Sequence, residues 1–197
     1  MSTSLAPRSG PPEEASRAAE QGLRALISRG SHRSSGLNGA EASELQLTHP
    51  HEVFLLGLDG VREGSTLDTA QSAGWRYVVE RDGQAAGLAD VGRDTDGNFQ
   101  LNHVQYGPYV AGTQAAWAVL TERSGSSGEV RLLQLPAIHL MALWTVPPKG
   151  DIQLVPIAPA PPEFEPGHLY TEPTFIELMR RRVELTPSIP PESEIGD

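Results

Sequence analysis

A chain of 197 residues whose middle is dense in apolar segments can bury one core without staples, and with no cysteine it has neither disulfides nor thiolate chemistry. The formal charge of −10, from 25 acidic and 15 basic residues, argues against a duplex-binding face, which needs concentrated cations. No apolar run reaches the roughly 20 residues that span a bilayer and no leader-type apolar region follows Met1, so a soluble, cytoplasmic protein without nucleic-acid or membrane partners is expected.

The first residues are small and polar with Pro and Gly, which cannot repay the entropy of ordering, so residues 1–11 are expected to be disordered. Residues 12–30 change character. Pro12 stands at a helix start, Glu13 and Glu14 fall in the first turn, and Gly30 follows the end. Ala15, Ala18, Ala19, Leu23, Leu26 and Ile27 form one narrow stripe, whose alanine-rich half suits docking on another surface better than anchoring a core. This predicts a peripheral amphipathic helix. The Ser/Gly/Asn-rich residues 31–43 read as a linker, long enough for the helix to dock in cis or to reach another subunit.

Val53–Leu58 is an apolar strand candidate bounded by Asp59-Gly60, and Ser65 with Asp68 resembles a capping box that opens a short helix ended by Gly74. A clearer signal follows. Trp75, Tyr77 and Val79 alternate with Arg76, Val78 and Glu80, Asp82-Gly83 makes a tight turn, and Ala85–Val91 returns as a second strand. Gly87 in that strand marks a bulge or a close backbone approach. Phe99–Val104 continues as a third antiparallel strand with Phe99, Leu101 and His103 on one face, and Pro108 opens a helix to about Arg123.

Val130–Val146 is the longest run almost free of charge, and its Pro136, lacking an amide donor, divides it into two strands, Val130–Leu135 and Ala137–Val146. A helix over Ala137–Val146 competes with the second. His139 within the run, and His103, read as buried, neutral, hydrogen-bonded histidines. Ile152–Ile157 adds a strand, Pro156–Pro166 a Pro-rich arm extended over the surface, and Thr171 with Pro173 starts a last helix to about Val183. Strands in adjacent runs, not in strict alternation with helices, predict an α+β fold. It is a single domain over residues 44–186, a mainly antiparallel sheet packed by two or three helices, with a peripheral N-terminal helix before it and a flexible acidic tail, residues 187–197, after it.

The chemistry-bearing residues are sparse. Asp94, Asp96 and Asn98 resemble the start of a calcium loop, but the glycine comes two places early and Gln105 stands where a bidentate Glu is needed, so a β-turn is the better reading. His49 and His51 flank Pro50 and point to similar sides of an extended segment, a spacing usable by two metal ligands that lacks a third. Glu163, Glu165 and His168, with Tyr170 and Glu172, are the densest polar group and could perform acid/base work or hold a divalent ion, against the reading of a solvated loop. No G-x-S-x-G, G-x-G-x-x-G or P-loop is present, and no cofactor is expected. The sequence therefore favours a non-catalytic adaptor or scaffold-type accessory protein, meeting a protein partner or its own copy through the N-terminal helix and the Pro-rich arm. The alternative is a small metal-dependent or acid/base enzyme using Glu163, Glu165 and His168.

Overall fold

Asp82 and Gly83 both adopt left-handed backbone, φ 52° and 74°, the conformation a two-residue type I′ hairpin requires. In the computed structural model, which describes residues 10–30, 36–64, 66–124, 129–147 and 150–185, that turn joins two strands of a mixed sheet. In chain order the elements are α1 (Glu13–Ser28), β1 (Leu45–Leu55), α2 (Leu58–Arg62), β2 (Gln71–Arg81), β3 (Gln84–Arg93), β4 (Phe99–Gln105) and α3 (Pro108–Ser124). They continue with β5 (Glu129–Leu135), β6 (Leu140–Val146), β7 (Gln153–Pro156), β8 (Tyr170–Thr171) and α4 (Glu172–Glu184). Among the described residues eight strands form one sheet in the order β4-β3-β2-β1-β5-β6-β7-β8, and the fold is the α+β class. Only β1 and β5 run parallel; the other neighbours are antiparallel.

The order contains two four-strand meanders, β1–β4 and β5–β8, each preceded by a helix and joined through their first strands. Parallel first strands relate the halves by a half-turn about an axis along the strands, and such a rotation exchanges the faces of the sheet. Accordingly α1 packs on one face and α3 on the other. On the first face α1 contributes Ala15, Ala19 and Leu23 to a cluster with Trp75, Tyr77, Val79, Ala89 and Val91. Beside it α4 places Phe175, Ile176, Met179 and Val183 against Phe54, Leu133, Ala142 and Trp144. On the second face α3 covers Val53, Leu132, Leu143 and Val155 with Ala116 and Leu120.

Several expectations are corrected by this packing. Of the two dockings open to α1, in cis or on another subunit, its alanine stripe takes the first and lies on the chain's own sheet, where small side chains allow close approach, and Ser16 Oγ lies 3.2 Å from Tyr77 Oη. The described part of the expected linker, 36–43, is not loose either, because Leu37 is fully buried in the same cluster. The strand placed at Val53–Leu58 begins eight residues earlier and stops at Leu55, since Gly57 and Val61 already close a helical turn. No helix runs to Gly74, which lies in β2 at φ 135° with Val91 O so near that a Cβ would sit 2.1 Å from it. His139 is exposed in the β5–β6 turn, left-handed after a 3₁₀ turn started by Pro136, so Leu140–Val146 is the strand of the two alternatives. The Pro-rich arm is pinned, with Ile157 and Phe164 in the core and Phe164 5.0 Å from the Phe175 ring. Residues 1–9, 31–35 and 186–197, with Ser65, on which the other expectations for the tails, linker and capping box fall, lie outside the described residues.

The fit of α1 to β4 gives a prediction of sign. Helix propensity alone would make Gly22→Ala stabilising by about 1 kcal/mol. A Cβ at Gly22, however, would lie 2.3 Å from Leu101 Cβ, which is too close to the backbone to swing away. Gly22→Ala is therefore expected to destabilise by roughly 1–3 kcal/mol in urea unfolding, and a stabilised variant would contradict the seating of the helix.

Candidate functional site

The polar groups of the interior gather at the middle of β1. His49-Pro50 falls where β1 holds one residue more than β2, since Thr48 is opposite Val78 and His51 opposite Arg76. Pro50 has no amide to give the ladder and His49 takes φ 49°, so the strand bulges there. Both imidazoles then meet the Trp117 ring of α3, at centroid distances of 4.7 Å for His49 and 5.6 Å for His51. The His-Pro-His spacing thus brings both rings to one indole. Among the described residues no group of three or more His, Asp or Glu side chains is arranged to hold a metal ion.

From His51 a polar row crosses the sheet: His51 opposite Arg76, Arg76 opposite Asp90, and Asp90 opposite His103. Arg76 Nε and Nη2 donate to the two Asp90 oxygens at 2.5 and 2.8 Å, and Nη1 reaches Met141 Sδ at 3.5 Å. The arginine is only 2% exposed, so this bidentate pair compensates a buried cation. His103 Nε2 closes the row 3.1 Å from Asp90 Oδ2, with 59% of its side chain exposed. His103 was expected on the face of Leu101. An extra residue in β4, Asn102, separates them, because Asp90 pairs with His103 while Val91 pairs with Leu101, and the bulge sends the two side chains to opposite faces.

His51 is fully buried and its Nδ1 lies 2.7 Å from the His49 carbonyl, which can only accept, so Nδ1 carries the proton and Nε2 the lone pair. Burial, aided by the nearby Arg76 cation, lowers its pKa from 6.5 to about 4 despite that hydrogen bond. Between these values the unfolded chain binds a proton that the native protein does not, so stability falls as pH drops from 6.5 toward 4. The loss amounts to roughly 3 kcal/mol by pH 4 and is absent above about pH 7.5. His51→Asn is expected to flatten this part of the profile of urea unfolding against pH; an unchanged slope would contradict the assignment.

On the opposite face Glu52, 1% exposed, lies beside Trp75 in β2 and Arg131 in β5, and accepts a 2.6 Å hydrogen bond from Ser72 Oγ. Arg131 is fully buried, donates to Glu129 at 3.1 Å, and stands 5.0 and 5.3 Å from the Phe54 and Trp144 rings. This polar seam separates the α1 cluster from the α4 cluster. Arg76, Asp90, Glu52 and Arg131 were not singled out from the sequence. The available signal was a charge inside an apolar strand, which needs a buried partner.

Of the other sequence candidates, Glu165, His168 and Tyr170 meet: Tyr170 Oη accepts the Glu165 amide at 3.0 Å and the His168 and Tyr170 rings stand 4.5 Å apart. Glu163 Oε1 pairs with Arg182 at 3.4 Å, whereas Glu165 and His168 form a separate exposed pair at 4.0 Å. Asp94 Oδ1 accepts the amides of Asp96 and Asn98, both at 2.9 Å, as a turn carboxylate does.

At the sheet margin the geometry is different. Among the described residues strand β4 has β3 on one side only, and between it and α1 runs a trough of about 460 Å³ lined by Gly22, Ala25, Leu26 and Arg29 with Phe99–His103. The opposite margin is the two-residue β8, which runs directly into α4. Fold and site are those of an α+β protein with a buried polar row and, among the described residues, one long unpaired edge. Comparison with known families, characterised proteins and solved structures finds no significant match. Among the described residues no helix is long and apolar enough to cross a membrane.

Proposed function

We propose that the chain is a non-catalytic accessory protein, cytoplasmic, which binds a protein partner along β4, with α1 as the wall of the docking trough. The observation that carries this reading is the seven-residue β4 edge, which offers backbone donors and acceptors for strand addition beside a groove that can take side chains. The N-terminal helix keeps the role expected of it, but through its β4-facing margin and not through its alanine stripe. The Pro-rich arm offers less, because Phe164 ties it to the core.

The acid/base alternative has weaker support. Glu165 and His168 are 78% and 54% exposed at the side chain, so water reaches both, and Glu163 is engaged with Arg182. The test is affinity capture from the source cell with the full chain and with Asn102→Lys, which sets a charge on the edge. A specific partner lost with the variant supports the reading; equal capture by both sinks it.

A further inference from the structure

We infer that the cavity beside the start of α1 binds a free amino acid as its zwitterion, with the ammonium at Glu52 and the carboxylate at Arg93. The site is distinct from the β4 edge and shares only Phe99 with it. The cavity, of about 370 Å³, lies on the α1 face of the sheet and is lined from β1, β2, β3 and β4 in turn, at the small end of the sizes that hold ligands. Composition leaves the space open. Ser72-Ala73-Gly74 brings three small residues immediately before Trp75 in β2, and all four line the cavity.

Two opposite charges are built into the walls. Glu52 is 1% exposed and its Oε1 accepts the Ser72 hydroxyl, which fixes the carboxylate at the buried end. A carboxylate has about four lone-pair sites, and away from water its attraction for a cation is stronger, so an ammonium adds to the bonds it already makes. Arg93 is exposed, at the mouth. Its guanidinium lies 3.9 Å over the Phe99 ring and donates to the Gly97 carbonyl, and among the described residues it has no carboxylate partner. Stacking occupies the face of the guanidinium and Gly97 one of its N–H groups, so its edge keeps donors for a ligand carboxylate. A ligand of one sign only would meet a like charge at one end of the cavity, which a zwitterion avoids. Trp75 stands opposite Glu52 and Phe99 opposite Arg93 in the ladders, so each charge has an aromatic ring beside it and the ligand side chain that fits is apolar.

Calorimetric titration of the full chain with a panel of the standard free amino acids tests this, followed by the methyl ester and the N-acetyl derivative of the tightest. An apolar amino acid is expected to saturate at one per chain. Its ester, without the carboxylate charge, and its N-acetyl form, without the ammonium, should each bind about tenfold or more weaker, the loss of one charged hydrogen-bonding group. In Arg93→Gln the acid and its ester should bind alike, and in Glu52→Gln the acid and its N-acetyl form should do so. Arg93 is exposed, so Arg93→Gln is expected to fold and decides the matter even where Glu52→Gln does not. The site is overturned if no amino acid saturates at millimolar concentration, or if acid and ester differ in Arg93→Gln as they do in the native chain. An ester that binds the native chain as tightly as the acid overturns the zwitterion.

Discussion

Asp90→Ala should lower the unfolding free energy by about 3–5 kcal/mol, because it leaves the guanidinium of Arg76 buried without its bidentate carboxylate. The carboxylate is itself only slightly exposed, so water cannot readily replace it. His103→Ala, on the exposed end of the same row, should cost less than about 1 kcal/mol. Replacing both charges, Arg76→Met with Asp90→Leu, should recover much of the loss, since the cost comes from the orphaned ion and not from absence of the pair. Equilibrium urea unfolding of these variants separates the outcomes. A single Asp90→Ala change below about 1 kcal/mol would mean that Arg76 reaches water when its partner is removed.

The second large effect concerns α1. Deleting residues 1–30 strips the cover from Trp75, Tyr77, Val79 and Val91, each buried at 6% exposure or less. At about 1.5–3 kcal/mol for each large side chain returned to water, the loss is roughly 6 kcal/mol or more, comparable with the whole stability of many domains. The truncated chain is therefore expected to unfold without cooperativity or to aggregate. A truncated protein with a sharp unfolding transition near that of the full chain would show that α1 lies on the sheet without contributing to its core.

Local signals in the sequence were legible where one residue decides the backbone. Asp82-Gly83 announced the β2–β3 hairpin, Pro136 the break between β5 and β6, and Pro12 with Gly30 the limits of α1. Long-range partners were not legible. Whether an alanine stripe docks in cis or on another protein depends on a sheet face assembled from β2, β3 and β4, which lie far along the chain from α1. Of the four register shifts in the described ladders, the one beside Gly87 was signalled by that glycine, whereas the bulges in β1 and β4 were hidden for a related reason. Strict alternation placed His103 with Leu101, and only the cross-strand register shows that Asn102 reverses the face and delivers His103 to Asp90. His49 and His51 were correctly put on one side, but the indole they meet comes from a helix whose approach no spacing in β1 records. The polar row went unnoticed because its members, His51, Arg76, Asp90 and His103, each lie on a different strand. Their link is a line across the sheet, perpendicular to the direction in which sequence is read.

An edge that takes a partner strand must protect amides that β3 leaves to solvent, and amide hydrogen exchange along β4, with and without the captured partner, measures this. Outward-facing amides between Phe99 and Gln105 are expected to exchange slowly with the captured partner bound, and faster in the free chain and in Asn102→Lys. The amides of β2, interior to the sheet, should not change. Exchange along β4 that is as rapid with the partner as without it, and the same in Asn102→Lys, would contradict strand addition at this edge.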